Sequence, residues 1–198
     1  MNSFYELVKS NRSCRRFDSS FRVDLSTLEE LVDLARMSAS AANLQPLKYI
    51  LSAEESLNEG IFSCLSWAAY LADWKGPVQE ERPSAYIVIL GDTAITSNFR
   101  CDHGIAAQTI LLGAREKGLA GCMFAAINHK KLRKAVDIDD RFEILLVLAI
   151  GKPVETVRID PVGEDGSIRY YRDSHGIHHV PKRGLDELIL KSRKSGSS

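Results

Sequence analysis

The feature that most constrains this chain is the run from Asp102 to Lys117. It opens on an acidic residue, carries Arg115 and Lys117 near its end and is followed by Gly118. That order of charge and breaker is what a helix requires. Between Ile105 and Ala114 the run is apolar on most faces, with Gln108 and Thr109 the exceptions. Such a helix must be covered on more than one side. Ser84 to Leu90, ended by Gly91-Asp92, and Ile144 to Ile150 are continuous apolar stretches and read as buried strands. A chain of 198 residues can build one core large enough to cover all three.

The remaining pattern predicts further elements. A short amphipathic helix from Ser3 to Lys9 carries Phe4, Leu7 and Val8 at helical spacing. Ser26 reads as the N-cap of a second helix, with Glu29 closing a capping box and Leu28, Leu31, Val32 and Ala35 forming one apolar face. After the small polar residues 38–43, Pro46 steers Gln45 towards extended backbone, and Tyr49-Ile50-Leu51 reads as a strand. A helical region is expected from Leu57 to Trp74, with Trp67, Tyr70 and Trp74 on it. A strand near Cys122 to Ala125, a short helix from Lys130 to Val136 and a loop marked by Pro153 and Pro161 follow. Arg169 to Val180 reads as a hairpin turning at Asp173-Ser174-His175-Gly176, and a last helix runs from Leu185 to about Arg193 before a frayed tail. The order is not a regular alternation of strands and helices, so the expected class is α+β, one domain over 1–198 without repeats or linkers.

Several function classes are set aside by composition. Lys plus Arg equals Asp plus Glu at 26 each, so no global field draws the chain to nucleic acid or to an anionic membrane. Cys14, Cys64, Cys101 and Cys122 are scattered without a CxxC pair, which suits free thiols in a reducing cytosol better than a disulfide framework or zinc. The N-terminus lacks a basic-then-apolar signal pattern and no apolar run reaches membrane-spanning length, so a cytoplasmic location is expected. The five histidines, His178-His179 included, form no metal constellation, and no metal site is expected.

Four stretches carry polar chemistry. Asn11-Arg12-Ser13-Cys14-Arg15-Arg16-Phe17 offers guanidiniums and a hydroxyl that suit a phosphate, or equally a solvated charged turn. The stretch 38–46, with Ser40, Ala41, Asn43 and Gln45, combines small residues with amides suited to a heterocycle edge; by composition alone it is an Asn-containing turn. Gly118-Leu119-Ala120-Gly121-Cys122 leads to Phe124-Ala125-Ala126, either a plain helix–turn–strand junction or a place where backbone N–H groups face a ligand. Lys182-Arg183 is a second cationic pair, or a charged cap for the last helix.

Taken in order, these stretches resemble the nitroreductase family over nearly the whole chain. Asn11 to Phe17 is similar to the family's opening Arg-Arg-Ser-x-Arg/Lys-x-Phe, and Ser38 to Leu47 to its Ala-Pro-Ser-x-x-Asn-x-Gln-Pro-Trp. Asp102-His103-Gly104-Ile105-Ala106-Ala107-Gln108 is similar to Asp-x-Gly-x-Ala-x-Gln; Gly118 to Cys122 and Gly151-Lys152-Pro153 are similar to its Gly-Leu-x-x-Cys and Gly-x-Pro. Asn11, Ala39, Leu47 and Ala125 depart from residues common in the family.

The resemblance implies a central mixed or antiparallel sheet flanked by helices, in an intertwined homodimer with FMN at the subunit interface. It implies a cofactor-binding set of Asn11, Arg12, Ser13, Arg15, Ser40, Ala41, Asn43, Gln45, Ala125, Ala126, Lys182 and Arg183. Arg12, Ser13, Lys182 and Arg183 would hold the phosphate, with Arg15 by the pyrimidine edge. Ser40, Asn43 and Gln45 would line ring and ribityl chain, and the backbone of Ala125 and Ala126 would face the N5 and O4 edge. No protein nucleophile is needed, because the flavin accepts hydride at N5. NADH or NADPH is the implied donor and a nitroaromatic, quinone or other conjugated compound the acceptor, taken in turn by ping-pong. Residues 164–194 form an arm suited to exchange between protomers. A non-enzymatic flavin carrier on the same fold, or an enzyme devoted to an activated C=C or C=N bond, would share these motifs.

Overall fold

The computed structural model of the protein describes residues 3–71 and 73–192, and the chain divides into two compact units, Met1–Val154 and Glu155–Ser198. In chain order the first unit contains α1 (Phe4–Ser10), β1 (Phe17–Asp18), α2 (Leu25–Arg36), a 3-10 turn (Ala41–Asn43) and β2 (Leu47–Ser52). It continues with α3 (Glu55–Phe62), a second 3-10 turn (Gln79–Glu81), β3 (Ala85–Asp92), α4 (Asp102–Glu116), β4 (Ala120–Phe124), α5 (His129–Val136) and β5 (Phe142–Pro153). The second unit holds β6 (Val157–Pro161), β7 (Tyr171–Arg172), β8 (His178–Lys182) and α6 (Leu185–Leu188). The class is α+β, as expected.

The sheet of the first unit is antiparallel and runs β2–β3–β5, with β4 and then β1 along the far side of β5. Every residue of β3 is buried. Alternation sends Ala85, Ile87 and Ile89 to one face, against Leu28 and Leu31 of α2 and Ala106, Ala107 and Ile110 of α4. Tyr86, Val88 and Leu90 go to the other, against Ile61 of α3, Leu132 of α5 and Trp67. Each large apolar side chain so enclosed contributes about 1.5–3 kcal/mol, so the two helical layers are what make this strand sequence stable. Gly121 allows β4 to lie this close. A Cβ there would stand 2.5 Å from the Ala149 carbonyl oxygen and 2.6 Å from a Leu111 methyl.

Several local expectations are corrected. The N-cap of α2 is Asp24, whose carboxylate accepts from the Thr27 N–H at 2.7 Å; the Ser26 hydroxyl donates to that carboxylate. Charge makes Asp24 the stronger acceptor at a helix N-terminus. Gln45 avoids the helix but is left-handed, φ 51°, rather than extended. The helix expected to Trp74 stops at Phe62. Beyond it Leu65 bridges Ile127 and the Ser66 N–H donates to the Ala126 carbonyl, while Trp67 inserts edge-on against Phe124 at 4.6 Å. Tertiary pairing outweighs local helix preference there. Pro153 and Pro161 end β5 and β6 instead of marking a loop. Gly91 and Asp92 belong to β3, and α6 stops at Leu188. Arg193 and the tail after it lie outside the described residues.

In the second unit β8 pairs in parallel with β6 and antiparallel with β7, and the expected hairpin turns at 173–177. The expected arm, 164–194, falls within this unit. His179 Nδ1 meets Asp160, and its Nε2 lies 3.1 Å from Asp173. Two carboxylates on two ring nitrogens make both nitrogens donors. The bond to Asp160, and then that to Asp173, hold the imidazole above its ordinary pKa, and the His179 bond holds Asp173 below its own. A raised histidine stabilises fully below its unfolded value of about 6.5 and loses that contribution as pH rises through the folded pKa; the depressed Asp173 loses its own only as pH falls through its folded value, below about 3.9. The His179 ring protons should therefore titrate by NMR with a midpoint above ~6.5. A midpoint at or below that value would contradict the doubly bonded imidazolium.

Candidate functional site

The 40–45 loop is built around one buried carboxylate. Asp102, 5% exposed at the start of α4, accepts from the Ser40 hydroxyl at 2.6 Å and from the Ala41 N–H at 3.0 Å. The Ser40 oxygen accepts in turn from the Gln45 N–H at 2.9 Å, and the Asn43 N–H donates to the Ser40 carbonyl. These bonds hold Ala42, Asn43 and Gln45 at φ 51°, 54° and 51°. A left-handed conformation costs a non-glycine residue about 1–2 kcal/mol. Charge-assisted bonds to a buried carboxylate, about 1.5–3 kcal/mol each, are of the right size to offset it. Backbone strain of this kind concentrates at ligand sites.

Beside the loop lies a cleft of about 340 Å³, bordered by Ser38, Ser40, Gln45, Leu47, Tyr49 and Ala106 among others. Its wall is part apolar and part donor. Burial, and then the negative charge of Asp102, push the Tyr49 phenol up, so it remains a donor at neutral pH. Ser38 and Thr109 share a hydroxyl bond of 2.9 Å that ties the loop's start to α4.

The Arg-rich segment lies elsewhere. Ser13 forms a parallel bridge with Gly121, and the Cys14 N–H donates to the Gly121 carbonyl, which sets residues 11–15 along β4. Asn11 is buried and Ser13 exposed. The Arg12 guanidinium folds back on α1, donating to the Asn11 carbonyl at 2.6 Å and to the Val8 carbonyl at 3.0 Å, and burial lowers its pKa. Arg16, near the end of the same stretch, makes a two-pronged pair with Glu81. Ala125 and Ala126 are exposed just beyond the other end of β4. Lys182 and Arg183 belong to the second unit, where Arg183 pairs with Glu187 at 2.9 Å. The structure thus brings together Ser40, Ala41, Asn43 and Gln45 as one group and sets residues 11–15 beside Gly121 as another. Within the sheet order, β3 and β5 separate β2, which follows the loop, from β4.

Asp102 was not among the expected ligands, although it opens the Asp-x-Gly-x-Ala-x-Gln motif. Its acidic type reads from sequence as dipole complementation, and its bonds to Ser40 and Ala41 span 62 and 61 residues.

The family model described as "Nitroreductase family" matches residues 8–152. The chain belongs to the nitroreductase family. An oxygen-insensitive NADPH nitroreductase of Helicobacter pylori strain J99 is 32% identical over 182 residues, covering 75% of this chain and 87% of its own. A nitroreductase family protein from Clostridium novyi NT is 25% identical with TM-score 0.64, over 77% of this chain and 86% of its own. A structure described as a nitroreductase in complex with FMN, from Exiguobacterium sibiricum 255-15, shares the fold at 19% identity and TM-score 0.65, over 78% and 90%.

Replacing Asp102 by Ala removes the acceptor of both the Ser40 hydroxyl and the Ala41 N–H. We expect a loss of about 1–3 kcal/mol in unfolding free energy, and faster hydrogen exchange at Ala41 and Gln45 than at β3. Unchanged protection of those two amides would show that the loop holds its shape without the carboxylate.

Proposed function

We propose that this nitroreductase family member binds FMN and carries electrons from NADPH or NADH to a nitroaromatic, quinone or other conjugated acceptor, by a ping-pong mechanism in a homodimer. The observation that carries the reading is the 40–45 loop, held left-handed by Asp102 beside an open cleft, in a chain whose family match spans 8–152. The residues present suit FMN. The loop offers short side chains at Ala41 and Ala42 and exposed amides at Asn43 and Gln45, which together let a flat heterocycle approach closely and be read at its edge. The name of the Helicobacter pylori relative supports a nicotinamide donor, and the FMN-bound neighbour supports the cofactor.

When bound, FMN supplies hydride acceptance at N5 and its return to an acceptor. The chain's own part is positioning. Ser13 and Arg12, with Lys182 and Arg183 of the C-terminal unit, are the proposed phosphate ligands, and Asn11 supports their turn. Arg15 places a cation at the pyrimidine edge, which favours negative charge there. Ser40, Ala41, Asn43 and Gln45 bear on the ring and ribityl chain, and the backbone of Ala125 and Ala126 on the opposite edge. One open face, shared in turn by donor and acceptor, is what makes the kinetics ping-pong.

Two protomers complete the site in this reading. The 11–15 segment borders β4 and the 40–45 loop leads into β2, on the other side of β3 and β5. A twofold axis sets one subunit's β4 side against the other's loop. The surface supports such an assembly: Phe4 and Tyr5 of α1 are each 72% exposed, and Leu185, Leu188 and Leu190 of the arm 70%, 63% and 91%. In this reading these side chains are the ones a second protomer covers.

Purified protein should be yellow, and anaerobic NADPH or NADH should bleach its absorbance near about 450 nm, with a quinone or nitroaromatic restoring it. Retention of FMN without bleaching would make the chain a carrier, and failure to take up FMN would remove the reading altogether. Ending the chain after Pro153 should release both FMN and dimer; a truncated protein that stays yellow and dimeric on gel filtration contradicts the arm's role.

A further inference from the structure

The first unit has a second cavity, about 230 Å³, on the face of the sheet that carries Tyr86. The cleft beside the 40–45 loop includes Ala35 and Ala106 of the other face. Three segments enclose the second cavity: the turn after β1, α3, and the chain running from the second 3-10 turn into β3. Several polar groups in its wall are already engaged. Asn58 Nδ2 donates to the Ser84 carbonyl at 2.8 Å and Asn58 Oδ1 accepts from Ser52 at 2.7 Å; the Ser84 hydroxyl accepts from the Val23 N–H.

Two donors stand apart. Tyr86 is 1% exposed, and its buried hydroxyl has no hydrogen-bond partner among the described residues. The buried Nε of Arg82 has none either. The carboxylate next along the chain, Glu81, is turned to Arg16. The Arg82 guanidinium lies over the Phe62 ring, 4.0 Å from its centroid, in a cation–π contact. Burial pushes the Tyr86 phenol far above its ordinary pKa, so it remains a donor. Folded proteins rarely leave such groups without an acceptor.

We propose that this cavity binds a small organic monocarboxylate, whose oxygens accept from Arg82 and the Tyr86 hydroxyl and whose apolar body lies against Phe62 and Pro83. Two buried donors without an acceptor, one of them a guanidinium, suit an oxyanion. The wall's charges argue for a single negative charge: Arg22 and Arg82 are matched by Glu55 and Glu59, and two carboxylates would repel a phosphate dianion. A planar guanidinium matches a carboxylate in two-pronged geometry. Glu55 is held by Arg22 at 3.6 Å in an exposed pair, so it does not compete for Arg82. This inference does not rest on the flavin reading.

The test uses the full-length, FMN-equilibrated protein with benzoate as the probe, following the Arg82 Nε–H resonance by NMR, with benzamide and inorganic phosphate in parallel. Benzoate should shift that resonance saturably and bind more tightly than either comparison. Tyr86→Phe should weaken benzoate about five- to tenfold and Arg82→Gln at least about tenfold. Because Tyr86→Phe deletes only an unsatisfied hydroxyl, its thermal midpoint should not fall, and a folded variant keeps the result interpretable. Benzoate binding that leaves Arg82 unmoved and is undiminished in both variants would overturn the proposal. So would preference for phosphate, or a response confined to the flavin absorbance.

Discussion

Much of this architecture follows from a strand that water cannot touch. Eight consecutive residues of β3 are buried, and their backbone polar groups must be paired on both edges. β2 and β5 satisfy the edges, and helices satisfy the two faces: α2 and α4 on one, α3 and α5 on the other. The apolar centre of α4 and the buried run of β5 are consequences of the same demand. Once α4 lies across the sheet, its N-terminus fixes where Asp102 can be, and Asp102 fixes the loop.

The site illustrates how a fold stores a local cost. Three non-glycine residues adopt left-handed backbone within four positions, in the short connection between α2 and β2. One buried carboxylate holds them through Ser40 and Ala41, so the strain is balanced by bonds anchored at the start of α4. The exposed faces of Asn43 and Gln45 are thereby presented in one arrangement, which lowers the ordering cost of any ligand they meet. The Arg-rich segment is held differently. Arg12 closes the C-terminal end of α1 and Arg16 is committed to Glu81, so of the motif's guanidiniums two have structural duties visible in the unit.

At three places where sequence reading and structure part, a specific contact is responsible, local at the N-cap and at Gln45 and long-range for residues 63–71. Ser26 has the right type for an N-cap, but Asp24 offers a full charge to the same N–H groups. Residues 63–71 have helical composition, yet pairing of Leu65 with Ile127 and insertion of Trp67 beside Phe124 draw them off the helix. Gln45 before Pro46 is barred from the helix by sterics, which local rules capture; that it turns left-handed follows from Ser40 accepting its N–H.

Periodicity and composition by themselves determined the elements that pack from within: α4, β3, β5, the apolar face of α2, and the hairpin at 173–177. These are set by burial and turn chemistry, both readable from nearest neighbours in the chain. The ordered motifs also sufficed to indicate the family. Only tertiary structure decided that Asp102 clamps the 40–45 loop, that residues 11–15 lie along β4 rather than beside that loop, and that Tyr86 and Arg82 share a cavity. The first two join groups tens of residues apart and the third near neighbours that only packing brings to one cavity, and a hydrogen bond's direction is defined by the packed sheet and helices, not by the residues that make it.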